Sequence, residues 1–387
     1  MTSGVAYFDT LNTKDGGGWK SLAGERAVRF NGFTDLDPGG LWITNLSFMD
    51  FRDQGLSGVS HLRSSVFFRT SLLQISSDCG FPHGASIPDV VETISGIVNR
   101  AIDMSRMSMP GINMLDSLSD SIYQWKRLRD AHDDPASMYQ HQFQAAFQEN
   151  SLIGGNPFVH GAELVKLSLN RVDFAEEVLS YPFPFGAWRE ERSSISGDEF
   201  VNFQVPALAC AEVDLRYADR PDLLAFGVTR SGTAVMREWI TQPEASMLLS
   251  AGARIKITNI LRGSSSDDSL ELPAAITGDA LVRSSYSAGM IAENFLHALT
   301  SKRYQPSAKT ARNKFFFPAR AIYLKSIDRM LSYAMARQLA ERNYNVFGYG
   351  LGSVSIRVTE DMFVDAIKDA ADMGFAICSS LLKQDMV

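Results

Sequence analysis

The chain has 387 residues, 45% hydrophobic and 21% charged, with 44 acidic against 37 basic side chains and a formal net charge of −7. That balance excludes wholesale disorder, and the length calls for roughly two to three folding units. Cys79, Cys210 and Cys378 are too sparse for a disulfide framework or a thiolate zinc site, and no stretch reaches the run of apolar residues that a membrane helix needs. With no basic-then-apolar leader, the expectation is a cytoplasmic or virion protein that is not secreted by a signal peptide and has no membrane partner.

Residues 1–87 hold short apolar runs, LWITNLSF and SSVFFRTSLLQI among them, separated by the turn signals DGGG, DPGG and DQG. They read as a β-rich region with long loops. A mainly helical region follows over 88–198. Val91, Ile94, Val98 and Ile102 recur at helical spacing between Pro88 and Pro110, Leu115 to Leu128 form a second stripe, and Asp134-Pro135 starts a third helix. Over 199–286 the period changes to two. EFVNFQV, AEVDLRY and ARIKITNI alternate apolar and polar residues and predict antiparallel strands, with SSSDDS at 264–269 as a polar loop. The mixed segment 287–387 contains a helix at MIAENFLHAL, a helix at SIDRMLSYAMARQLAER capped by Ser326, a strand at SVSIRV and a last helix after Thr359. The fold class is α+β.

Motifs with a chemical mechanism are few. GYGLG at 348–352 has the glycines of a dinucleotide loop but precedes a strand, so it reads as a turn between two strands. DGGGWKS has Trp19 where a phosphate loop requires glycine, and reads as a flexible glycine loop. The six histidines form no metal-binding pair, G-x-S-x-G is absent, and Asp35 with Asp37 in TDLDPGG suits a turn better than a hard-cation site. No catalytic residue, metal or cofactor is implied.

One segment stands out. SKRYQPSAKTARNKFFFPARAIYLK, residues 301–325, holds seven of the 37 basic residues and none of the 44 acidic ones. It reads as an exposed loop running into an aromatic strand. Lys302, Arg303, Lys309, Arg312, Lys314, Arg320 and Lys325 would bind an anion or a partner, and Tyr304 and Phe316 would stack on bases. A cationic arm on an acidic body is self-complementary, so the leading expectation is a non-enzymatic, self-assembling subunit of a virion, phage tail or capsid, with copies of itself and other particle proteins as partners.

The stretch MIAENFLHALTSKRYQPSAKTARNKFFFPARAIYL, an apolar helix followed by a Pro-Ser-Ala-Lys loop and an aromatic strand, resembles the corresponding part of Cas7-type backbone subunits of CRISPR surveillance complexes. That resemblance implies the alternative function, a nucleic-acid-binding subunit of a ribonucleoprotein filament with nucleic acid held by the basic loop. An enzyme whose site is assembled from distant residues is the third reading.

Overall fold

The computed structural model describes residues 3–10, 16–22, 24–46, 48–59, 61–63, 86–108, 142, 146, 162–224, 235–267, 270–300 and 318–376. Among the described residues three sheets and the helices packed on them make up an α+β architecture, as the alternating periods predict.

The first sheet has the order β3-β2-β1-β4-β5, from strands Ser3–Phe8 (β1), Gly18–Leu22 (β2), Val28–Phe30 (β3), Leu41–Thr44 (β4) and Leu62–Arg63 (β5). β1 is antiparallel to β2 and parallel to β4, which is parallel to β5. The glycines of DGGG lead directly into β2. A Cβ on Gly18 would lie 1.8 Å from the carbonyl oxygen of Tyr7, so the close pairing with β1 is open to glycine alone. Side chains alternate along β1: Val5 joins Leu41 and Ile43 against helix Ile87–Ser108 (α1), while Ala6 and Phe8 pack with Phe30, Leu36 and Trp42 on the other side. The stripe Val91, Ile94 and Val98 predicted for that helix is the face it buries. TDLDPGG is a turn, in which Asp37 accepts from Gly39 N–H and Asp35 from Asn31 N–H.

Strand Ala162–Leu169 (β6), helix Arg171–Ser180 (α2) and strand Phe183–Ser196 (β7) come next, where the sequence pattern points to helices and turns. Helix Gly197–Val201 (α3) follows, then strands Ala207–Asp214 (β8) and Val235–Thr241 (β9), helix Gln242–Ser250 (α4) and strand Arg254–Asp267 (β10). The second sheet is antiparallel, in the order β7-β10-β8-β9. Helix Tyr286–Thr300 (α5) buries Ile291, Phe295 and Leu299 as predicted, and its Ser287 hydroxyl donates to Ile97 O, tying it to α1. Helix Pro318–Glu341 (α6), strands Asn345–Gly350 (β11) and Ser353–Thr359 (β12), helix Phe363–Asp372 (α7) and strand Phe375–Ala376 (β13) are the last described elements. The third sheet runs β11-β12-β6-β13. Among the described residues no helix is long and apolar enough to cross a membrane.

Several local expectations are corrected. EFVNFQV is not a strand: Ser196 and Glu199 form a capping box that starts α3, and this S-x-x-E signal overrides the alternation. SSSDDS is not wholly a loop, because β10 pairs with β7 as far as Asp267 opposite Phe183. From Pro318 the segment read as an aromatic strand is helical, with proline at the first position, where its missing N–H costs nothing. Ser326 therefore lies inside α6, donating to Ile322 O, and caps nothing. The helices read around 115–128 and 135–147 fall outside the described residues, 142 and 146 excepted.

Replacing Ser196 by Ala removes one side of the α3 capping box. Urea unfolding should show a destabilisation of about 1 kcal/mol; unchanged stability would mean the box does not hold this helix.

Candidate functional site

α6 is the element around which the site is organised. Fifteen of its 24 residues are buried, and they lie on all sides of the helix. Ala319 and Ile322 in its first turns cover Leu208 and Leu261 on the outer face of the second sheet. Farther along, Tyr333, Ala336 and Leu339 join the core between that sheet's inner face and the third sheet, with Ile257, Ile260, Val354 and Ile356. Leu324 and Ile327 pack on α2 and α5.

Such a helix takes polar groups into the interior, where Tyr323, Arg329 and Asp328 find partners while the Tyr333 hydroxyl makes no hydrogen bond. The Tyr323 hydroxyl donates to Ala207 O at 2.6 Å and contacts Gln242 Oε1 at 2.9 Å. Burial pushes this phenol well above its ordinary range. Arg329, 8% exposed, pairs through Nη2 with Oε1 of the fully buried Glu244. Glu244 also completes a capping box with Thr241 at the start of α4, so one carboxylate serves a helix cap and a buried guanidinium together.

Asp328 points the other way, to the tip of the β11–β12 hairpin. Its Oδ1 accepts from Leu351 N–H at 2.7 Å and from the Ser332 hydroxyl at 3.0 Å, and Gly352 N–H also bonds to the carboxylate. Burial outweighs these donors and pushes the carboxyl up to about 6. The tip is GYGLG, a turn between strands as the sequence indicates. Gly350, Leu351 and Gly352 have φ of 142°, 53° and 64°. A Cβ on Gly352 would meet the Phe174 ring at 2.7 Å, and Gly352 O accepts from Leu169 N–H, so the tip is seated at the β6–α2 junction. Tyr349, just before the tip, donates its hydroxyl to Leu223 O.

The outer face of the second sheet divides into two parts. Its apolar end, with Leu208, Leu261, Trp188 and Trp239, is packed with the first turns of α6. Its other end is charged, where Lys256 lies opposite Glu212, itself paired with Arg237 at 3.6 Å, and Arg192 lies opposite Asn259. At the corner the Arg254 guanidinium stacks 3.6 Å from the ring centroid of Tyr217, which is 48% exposed.

Of the residues singled out from the basic segment, Lys302, Arg303, Tyr304, Lys309, Arg312, Lys314 and Phe316 lie outside the described residues. Arg320 and Lys325 are on α6 rather than on a loop or strand. Arg320 is 4% exposed, near the Phe183 ring, and Lys325 is half-buried. Asp328, Arg329 and Glu244 escaped sequence reasoning. The one hint was that α6 interleaves charged and apolar residues with no clean stripe, the mark of a helix buried on several sides.

No family model matches the chain, and no curated protein matches it. Among solved structures the chain is similar to Phi29 DNA polymerase. It resembles the polymerase complexed with single-stranded DNA at TM-score 0.51, and the orthorhombic crystal form at TM-score 0.50. In both, identity is 11%, over 95% of this chain and 82% of the polymerase. The likeness is one of fold. It overturns the expectation of a self-assembling virion, tail or capsid subunit with copies of itself as partners, and with it the expectation of a non-enzyme, because the shared architecture is that of a polymerase. The Cas7-type alternative falls too. The aromatic strand it relied on is, from Pro318, the buried helix α6.

Polymerases act through two divalent ions clamped by carboxylates. Among the described residues no group of three or more His, Cys, Asp and Glu side chains is placed to hold a metal ion, and Asp328 is already engaged by three donors. The described residues do not fit a two-ion site.

Two outcomes test this interior. Glu244→Ala strands a buried guanidinium and should cost about 3–5 kcal/mol in denaturant unfolding; a cost under about 1 kcal/mol would show that the pair is solvated. For Asp328 the native carboxyl keeps a proton that the unfolded chain releases between about pH 4 and 6. Its contribution to stability is therefore full below about pH 4 and falls as pH rises through about 6, by on the order of 3 kcal/mol. Asp328→Asn removes that dependence, so urea unfolding should show the variant gaining on the wild type from about pH 4 to about pH 7. Parallel pH profiles would refute this.

Proposed function

We propose that this chain is a DNA-binding protein that engages single-stranded DNA, free or as an overhang, through a fold like that of Phi29 DNA polymerase. The observation that carries the proposal is the likeness to Phi29 DNA polymerase complexed with single-stranded DNA, which extends over 95% of this chain and so involves all three sheets, not one common motif. The surface chemistry supports it. Arg192, Arg254 and Lys256 are exposed at the charged end of the second sheet, and the stacked Arg254–Tyr217 pair offers an aromatic ring beside a guanidinium, a combination suited to phosphate and base. The cationic segment 301–317, next to α6 in sequence, supplies further candidate phosphate ligands in Lys309, Arg312 and Lys314.

Fluorescence anisotropy with a labelled primer–template duplex carrying a single-stranded overhang tests the proposal. Binding should weaken steeply with salt. Replacing Arg192, Arg254 and Lys256 together by Ala should lower the slope of log K against log salt by about 0.9 for each duplex phosphate that is no longer neutralised. A second triple variant, at Lys309, Arg312 and Lys314, should lower it by about 0.7 for each such phosphate on the single strand. Absence of binding at low salt would defeat the proposal. Extension and degradation assays with magnesium and nucleotides on the same samples would show directly whether binding is accompanied by chemistry.

A further inference from the structure

Resting on that reading, we propose that Leu351 is a DNA-contacting residue, an apolar side chain that the β11–β12 tip presents to the base faces of bound DNA, with Asp328 as its positioning residue. A two-residue hairpin turn with positive φ is ordinarily made by Asn, Asp or Gly. Here the neighbours on both sides are glycines, yet the residue between them is a leucine at φ 53°, where a side chain branched at Cγ is disfavoured. Burial does not compensate for this, because Leu351 is 37% exposed.

The surroundings instead hold the leucine in place. Its N–H is taken by a carboxylate that is itself out of water, the next N–H goes to the same group, and the Ser332 hydroxyl orients that group from one turn along α6. The Ser353 hydroxyl closes the turn on Gly350 O, and the Phe174 ring, backed by the α2 and α5 core, stands against Gly352. A strained backbone, a desolvated acid and a glycine that admits no Cβ together fix the direction of one exposed apolar side chain. Strain that the surrounding structure over-determines is a pointer to use. An aliphatic side chain held rigidly at a tip is a form that contacts or wedges between stacked bases.

Three proteins decide it: wild type, Leu351→Gly and Leu351→Met, each melted and then titrated against the same primer–template duplex. Leu351→Gly relieves the strain, so its melting temperature should equal or exceed that of the wild type while its affinity falls by about fivefold or more. Leu351→Met, which keeps an apolar side chain, should bind within about twofold of the wild type. A wild type that binds DNA alongside a Leu351→Gly variant that binds equally well would overturn this inference and leave the DNA-binding reading intact. A wild type that does not bind would overturn both.

Discussion

The structure depends on how α6 carries charge through the interior. A helix that packs against two sheets and two helices cannot keep its polar residues on one wet face, and an unpaired buried charge would be more costly than a fold of this size can absorb. Arg329 is therefore met by Glu244 from the start of α4, and Asp328 by two backbone N–H groups at the β11–β12 tip and by Ser332. Each partner belongs to a different sheet system. Charge satisfaction on one helix thus sets where the second sheet stands relative to the third. Arg329 and Asp328 are adjacent in sequence, so the two anchors splay apart around the helix and fix its rotation.

That geometry also accounts for the contrast between the two ends of the second sheet. The first turns of α6 lie on the outer face over Leu208 and Leu261, and the helix then passes to the inner face, where Tyr333 and Ala336 share the core with Val354 and Ile356. The remainder of the outer face keeps its charged alternation, with Arg254, Lys256 and Arg237 interleaved with Glu212 and Asp214. A charged surface and a rigid turn are the two features on which the proposed DNA interface and the role given to Leu351 rest. Fold likeness by itself conveys architecture; function must be carried by particular side chains.

Much of the local structure was legible in the sequence. The stripes of α1 and α5, the alternation of β8, the strand β12 and the turn at GYGLG follow from period and punctuation, which report how a segment divides its surface between core and water. Misreadings occurred where a local signal competed with the period. The capping box at Ser196 made a helix of an alternating segment, and Pro318 opened a helix in an aromatic run. β6 and β7 were missed because their partners lie far away in sequence, β6 opposite β12 and β7 opposite β10. Strand propensity reflects the neighbours a strand acquires.

By itself, then, the sequence determined the α+β class, the helices with a clean apolar stripe, and the glycine turn at 350–352. Only the tertiary structure decided that Asp328, Arg329 and Glu244 are interior groups, that Arg320 is buried, and that Leu351 is held outward on a constrained turn. The physical reason is that charge, unlike apolarity, has no fixed address in a sequence. An aspartate reads as solvated surface until a distant stretch of backbone brings the N–H groups that let it leave water.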